Sequence, residues 1–219
     1  MKTGEASVTA QRVAAHRLAF ERVQAGYGDP AADEALARDV AAEAGVEASR
    51  MREYLRARTR FFDRVVTGAM SDGCTQVVVG AAGYDGRALR YAKPGVTWFE
   101  LDHPDTQRDK RSRLDRLGIG ASHIRFVAAD FATDPVADLL TSAGLDADMA
   151  SLFLLEGVAV YLDTQVLRTL LEQLRQVAGD GSTLAVSVSL TNTSPARRAA
   201  FQATVAAVGE PARSSLEPG

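Results

Sequence analysis

The 219-residue sequence predicts an α/β fold in which helices cover a doubly wound, mainly parallel sheet. Two observations support this prediction. After residue 75, five short runs rich in β-branched residues alternate with helix-length segments, as expected for parallel strands joined by helical crossovers. Before residue 69, the apolar residues follow helical spacing only. We therefore divide the chain into an N-terminal helical cap, residues 1–68, and a Rossmann-like core, residues 69–219.

Three helices are predicted in the cap. The first spans residues 9–25. The second begins at Asp29-Pro30, which suit an N-cap followed by the first helical position, and it ends near Gly45. The third has apolar residues at spacings of three, four and seven and ends at Gly68.

The core is predicted to alternate strands with helices. The strands are predicted at residues 76–79, 96–101, 124–128, 150–155 and 183–190. The helices are predicted at residues 86–92, 104–117, 136–142, 163–178 and 195–208. In such a sheet, a ligand binds outside the carboxyl ends of the strands, so we look for functional residues there first.

Composition excludes several classes of protein. With 46% hydrophobic and 24% charged residues the chain is globular, and a net charge of −3 provides no basic field for nucleic acid or anionic lipid. A single cysteine, Cys74, excludes an internal disulfide and a cysteine-rich metal site. No run reaches the ~18 apolar residues of a membrane span. We expect a cytoplasmic protein without a metal, nucleic-acid or membrane partner.

One basic cluster needs a separate interpretation. Five basic residues share the predicted helix 104–117 with interleaved aspartates, so we interpret them as a solvated face rather than an RNA site. These residues are Arg108, Lys110, Arg111, Arg113 and Arg116.

The strand ends carry a nucleoside-type pattern. Gly80, Gly83 and Gly86 follow the first strand with G-x-x-G-x-x-G spacing, which suits close approach of a ligand but matches neither the dinucleotide fingerprint nor a P-loop. Asp102 ends the second strand, 22 residues after Gly80, where a carboxylate accepts hydrogen bonds from ribose hydroxyls. A helix-capping role is the alternative for Asp102.

Two further strand ends hold acids. Asp130 and Phe131 follow the third strand, where a carboxylate and an aromatic ring suit an adenine base, although a plain turn acid fits equally well. Glu156 interrupts the apolar run after the fourth strand, and a carboxylate there is costly to bury unless it is paired or functional.

Several motifs, in order, resemble one known family. They are Arg-Thr-Arg-Phe-Phe-Asp at 58–63, Asp-Gly-Arg at 85–87, Phe-Glu-Leu-Asp-His-Pro at 99–104, Val-Ala-Ala-Asp-Phe at 127–131 and Leu-Glu-Gly-Val-Ala-Val-Tyr-Leu at 155–162. From about residue 50 onward the chain resembles the leucine carboxyl methyltransferases, which use S-adenosylmethionine.

The resemblance implies roles for individual residues. Arg58 matches the arginine that binds the cofactor carboxylate, with Arg60 as the alternative. Glu156 matches the acid beside the cofactor amino group. The remaining cofactor-binding matches are Gly80 and Gly83 for the loop, Asp102 for the ribose, and Asp130 with Phe131 for the adenine.

The implied chemistry is methyl transfer to an oxygen of a small molecule or peptide. A carboxylate acceptor needs no base because it is ionised at neutral pH, whereas a hydroxyl needs one, for which Glu156 and Tyr161 are the nearest candidates. Two alternatives stay open: an NAD(P)-dependent oxidoreductase, and a protein that binds S-adenosylmethionine without turning it over.

The number of strands adds one expectation. Five are predicted, whereas methyltransferases of this fold usually have seven, so the C-terminal strands are expected to be missing. An exposed sheet edge favours association, and we therefore include a homo-oligomer among the expected partners.

Overall fold

A computed structural model describes residues 7–44, 52–189, 199, 202–203 and 212–213. Within these residues the helices are α1 Val8–Arg17, α2 Pro30–Ala44, α3 Arg52–Ser71, α4 Arg87–Arg90, α5 Pro104–Arg116, α6 Val136–Ser142 and α7 Thr164–Gln176, with a short 3-10 helix at Ala159–Tyr161. The strands are β1 Gln76–Gly80, β2 Thr97–Asp102, β3 Ile124–Ala128, β4 Ser151–Leu155 and β5 Thr183–Val186.

The five described strands form one parallel sheet in the order β3-β2-β1-β4-β5. In the centre, Val78 of β1 lies opposite Phe99 of β2 and Phe153 of β4. The chain winds outward from β1 to β3 and then returns to place β4 on the other side of β1. The point where the winding reverses therefore lies between β1 and β4, and its carboxyl end is where this type of sheet binds ligands.

Successive side chains of a strand point to opposite faces of the sheet and so enter two separate apolar layers. Val77 and Val79 pack with α1, α2, α3 and α5 on one face, whereas Val78 packs with α6 and α7 on the other. Both faces of the central strands are covered, which explains the almost unbroken hydrophobic runs of β1 and β4. The fold class predicted from the sequence is confirmed.

The predicted strand positions agree with the structure to within two residues, apart from the end of β5. That strand ends at Val186, not at residue 190. The second helix begins as predicted, since the Asp29 carboxylate accepts a hydrogen bond from the Ala32 N–H at 3.0 Å. The helix predicted at 195–208 lies outside the described residues, apart from residues 199 and 202–203.

The first predicted helix is too long. α1 ends at Arg17, and the chain then runs irregularly to α2. The reason is tertiary: the Arg22 side chain enters a buried ion pair with Asp63, and the Val23 carbonyl accepts the Tyr91 hydroxyl at 2.9 Å. Both contacts join residues far apart in the sequence, so local hydrophobic periodicity does not reveal them.

The interpretation of the basic helix is wrong for two of its residues. Lys110 and Arg113 of α5 are 1% and 4% exposed. Lys110 donates to Glu100 at 2.6 Å, and Arg113 donates to Asp39 of α2 at 2.7 Å. The other three, Arg108, Arg111 and Arg116, are exposed as expected.

None of the helices in the described part of the chain is long and apolar enough to cross a membrane.

Candidate functional site

The candidate site lies at the carboxyl ends of β1, β2 and β4, where the loop after β1 turns into α4. Two glycines, Gly80 and Gly83, make the conformation of this loop possible. A Cβ on Gly80 would lie 2.5 Å from Leu155, and Gly83 has φ +50° with room for only a hydrogen beside Ala10 of α1. Substitution at either position would displace a neighbour, so the loop depends on glycine there.

Asp102 holds the glycine loop in place. Its two carboxylate oxygens accept the N–H of Gly83 at 2.5 Å and the N–H of His103 at 2.7 Å. Burial raises the pKa of Asp102, although these two backbone donors oppose the shift. Each carboxylate oxygen has two lone pairs, so Asp102 retains acceptor capacity for a ligand hydroxyl. His103, rather than Asp102, caps α5 with its side chain.

Glu156 lies just beyond β4 and forms salt bridges with three arginines. It accepts from Arg87 Nη1 at 2.6 Å, from Arg58 Nε at 2.9 Å and from Arg17 Nη2 at 3.1 Å. Burial opposes ionisation, but the charges of these arginines lower the pKa of Glu156 to about 2. Glu156 is therefore ionised at neutral pH and is a poor proton acceptor.

The ion pairs continue away from the site toward α3 and the segment that precedes α2. Arg87 also binds Asp85 at 2.5 Å and Asp63 at 2.8 Å, and Asp63 is held in turn by Arg22. Asp63 and Arg87 are 0% and 1% exposed. Because buried charges are tolerated only when they are paired, these contacts couple the position of α3 to the loop before α4.

The structure brings some of the predicted residues together and separates others. Arg58 meets Glu156, and its alternative, Arg60, is exposed to solvent. Phe131 lies beside the glycine loop, since its ring is 3.8 Å from where a Cβ on Gly80 would be. Asp130 is exposed and accepts the Ala132 N–H at 3.0 Å in a turn, and Tyr161 is partly buried in the 3-10 helix.

Three residues of the site were missed by sequence reasoning. Arg17 reaches the site from α1, and its Nε is buried without a hydrogen-bond partner among the described residues. Asp85 and Arg87 belong to the Asp-Gly-Arg motif at 85–87, but the sequence indicated no role for either side chain. A signal was present, because charged residues next to a buried turn need partners, but the sequence does not say which partners. Within the described part of the chain, no cluster of His, Cys, Asp or Glu is arranged to hold a metal ion.

The Glu156 cluster predicts loss of stability in acid. The folded-state pKa of about 2 lies below the usual value of about 4.3, so the stabilisation is complete above about pH 5 and is lost as the pH falls toward 2. We expect Glu156→Gln to be less stable than the parent at pH 7, with the difference closing by pH 2. Urea unfolding at a series of pH values measures it, and the exposed Glu172→Gln is the control. A gap that stays constant with pH would contradict the assignment.

The parallel sheet with helices on both faces, and a glycine loop and strand-end acid at its switch point, define an α/β fold of the class I methyltransferase type. Comparison with known proteins identifies the family. The family model described as leucine carboxyl methyltransferase matches residues 8–175. The chain belongs to this family.

Relatives of this chain are named "Putative S-adenosyl-L-methionine-dependent methyltransferase". One from Mycolicibacterium gilvum is 38% identical over 147 residues, covering 66% of this chain and 47% of the relative. One from Mycobacterium avium is 31% identical over 192 residues, covering 87% and 60%. The chain thus spans about half the length of the first of these relatives and somewhat more of the second.

Solved structures agree on the fold. A "putative methyltransferase" from Thermobifida fusca has a TM-score of 0.63 at 18% identity, covering 94% of this chain and 75% of that chain. A DUF574 family protein from Streptomyces avermitilis has a TM-score of 0.61 at 18% identity, covering 98% and 80%.

Proposed function

We propose that this protein is an S-adenosylmethionine-dependent methyltransferase that methylates an oxygen, a carboxylate or a hydroxyl, on a small molecule or peptide. One observation carries the proposal: an arginine and a glutamate, Arg58 and Glu156, form a partly buried pair beside the glycine loop at the switch point of the sheet. An α-amino acid presents a carboxylate and an ammonium group, and this pair is complementary to both.

The residues of the site fit such a cofactor. Glu156 is ionised and would accept from the ammonium group, while Arg58 would hold the carboxylate together with the Nε of Arg17, which has no hydrogen-bond partner among the described residues. Asp102 has lone pairs left over and would accept from the ribose hydroxyls, and Phe131, whose ring lies next to Gly80, would cover the base. Asp130 would accept from the adenine amine, since one of its oxygens has no partner in the described residues.

When bound, the cofactor supplies an electrophilic methyl group on its sulfonium. The protein then has two tasks, alignment of the acceptor oxygen and exclusion of water. The low pKa of Glu156 favours a carboxylate acceptor, which needs no base, and assigns Glu156 to binding rather than proton transfer. For a hydroxyl acceptor, Tyr161, five residues after Glu156 in the sequence, would be the remaining candidate base.

Ligand-induced stabilisation tests the proposal. We expect S-adenosylmethionine and S-adenosylhomocysteine to raise the melting temperature and NAD to leave it unchanged; a ligand at a hundred times its Kd contributes about 2.7 kcal/mol. Stabilisation by NAD alone would favour an oxidoreductase. Transfer of a labelled methyl group to a panel of carboxylic acids and phenols then separates an enzyme from a protein that only binds the cofactor.

The ribose assignment has its own test. Asp102→Asn should weaken S-adenosylhomocysteine binding by roughly tenfold or more, because it replaces a charged acceptor by an amide; a hydrogen bond to a charged group contributes about 1.5–3 kcal/mol. Calorimetry measures the affinity, and Asp148→Asn, at an exposed position, is the control. Equal affinities for the two variants would refute the role of Asp102.

A further inference from the structure

The outer face of α3 exposes aromatic side chains. Tyr54 and Phe61 are 49% and 54% exposed, the highest values among the large hydrophobic residues of the described chain. They are seven residues apart, and the small exposed Ala57 lies between them, so the three residues share one side of the helix. The opposite side, including Leu55 and Phe62, is buried against the protein.

A row of arginines borders these aromatic residues. Arg56, Arg60 and Arg64 are exposed, follow one another at intervals of four residues, and form no ion pair with any described residue. At ~100° per residue they fall along one edge of the aromatic side chains, about 6 Å apart along the helix axis. The exposed Glu53 lies on the same edge, one turn before Arg56, so these four residues carry a net charge of +2. In a chain of net charge −3, this is a local basic surface. We call the six residues, 54, 56, 57, 60, 61 and 64, the α3 seam.

We propose that the α3 seam binds an acidic amphipathic helix of another protein. Apolar residues three and four apart are the pattern by which one helix packs along another, with flanking charges that select the partner. Carboxylates spaced four apart on the partner repeat every ~6 Å, the same interval as the arginine row. A second copy of this chain is unsuited, because two basic seams would repel each other.

The shape of the surface favours a helix over a nucleic acid strand. Single strands bind in basic grooves where successive bases stack, whereas the α3 seam is the convex side of one helix with its arginines on a single edge. The seam also adjoins the site already described, since Arg58 lies 5.4 Å from the Tyr54 ring and donates to Glu156. A bound partner would therefore lie next to the site, but the proposal does not depend on methyl transfer.

The experiment uses a labelled helical peptide of about three heptads, with Leu at the apolar positions and Glu at the flanking ones. Fluorescence anisotropy with the full chain should show saturable binding. The triple variant Arg56→Glu, Arg60→Glu, Arg64→Glu should weaken it by roughly tenfold or more, as should Tyr54→Ser with Phe61→Ser. The matched control, Arg108→Glu, Arg168→Glu, Arg175→Glu, changes the same charge at exposed sites elsewhere and should bind like the parent.

Three results would overturn the proposal. They are no saturable binding to the parent chain, equal loss of binding in the seam and control variants, and binding of oligouridylate instead of the peptide through the same arginines. All the variants are at exposed positions, so unchanged circular dichroism and melting temperatures will show that they fold. Because the readout is binding without any cofactor, failure here is separate from failure of the proposed methyl transfer.

Discussion

Replacing Asp63 with asparagine should lower the free energy of unfolding by about 3–5 kcal/mol, the typical cost of breaking a buried ion pair from one side. Asp63 is fully buried and accepts three hydrogen bonds, two from Arg22 at 2.7 and 2.9 Å and one from Arg87 at 2.8 Å. Burial opposes ionisation of Asp63, but Arg87 and Arg22 hold its pKa below the usual range. The variant leaves two buried guanidinium groups without this carboxylate.

Denaturant unfolding with linear extrapolation measures the effect. The control is Asp72→Asn just beyond α3, which is exposed and should change stability by less than about 0.5 kcal/mol. A typical domain has only about 5–15 kcal/mol in total, so the Asp63 variant is expected to be folded but marginal. A change below about 1 kcal/mol would mean that Arg22 and Arg87 find other partners.

The second large effect is on ligand affinity. Glu156→Gln should weaken S-adenosylhomocysteine binding by about 2–5 kcal/mol, because it removes the carboxylate proposed to accept the ammonium group in a mostly buried site. Binding of 5′-methylthioadenosine, which has the same nucleoside but no amino acid, should change little. The comparison of the two ligands therefore reports on the amino-acid end alone.

Asp102→Asn is the complementary variant for this comparison. It should weaken both ligands equally, because the ribose is common to them. If Glu156→Gln weakened both ligands to the same extent, Glu156 would be acting on the fold of the site and not on the ligand. Isothermal calorimetry at neutral pH, where Glu156 is ionised, is the appropriate measurement.

Much of the fold could be predicted because its signals are local. Strands such as 76–80 are short hydrophobic runs bounded by turns, and parallel strands place their carboxyl ends at one edge of a sheet. That rule alone placed Gly80, Asp102 and Glu156 in one region, and the structure agrees. The boundary of α1 was wrong because residues 18–29 depend on partners in α3 and after α4, which local periodicity does not register.

The electrostatics of the site were not accessible in the same way. Arg17 and Glu156 are 139 residues apart, and Arg58 and Glu156 are 98 apart. In the sequence, Lys110 and Arg113 are indistinguishable from their exposed neighbours on α5, yet they are buried in ion pairs with β2 and α2. Which charge is buried depends on the face that packing turns inward.

By itself, the sequence determined the order of strands and helices, the glycine turn after β1 and the acids at the strand ends, and its motifs indicated the family. Only the tertiary structure decided which arginines neutralise Glu156, how α3 holds the loop before α4 through Asp63 and Arg87, and which side of α3 stays exposed. The physical reason is that hydrophobic periodicity and turn geometry act over a few residues. Desolvated charges instead select partners by distance in the folded chain.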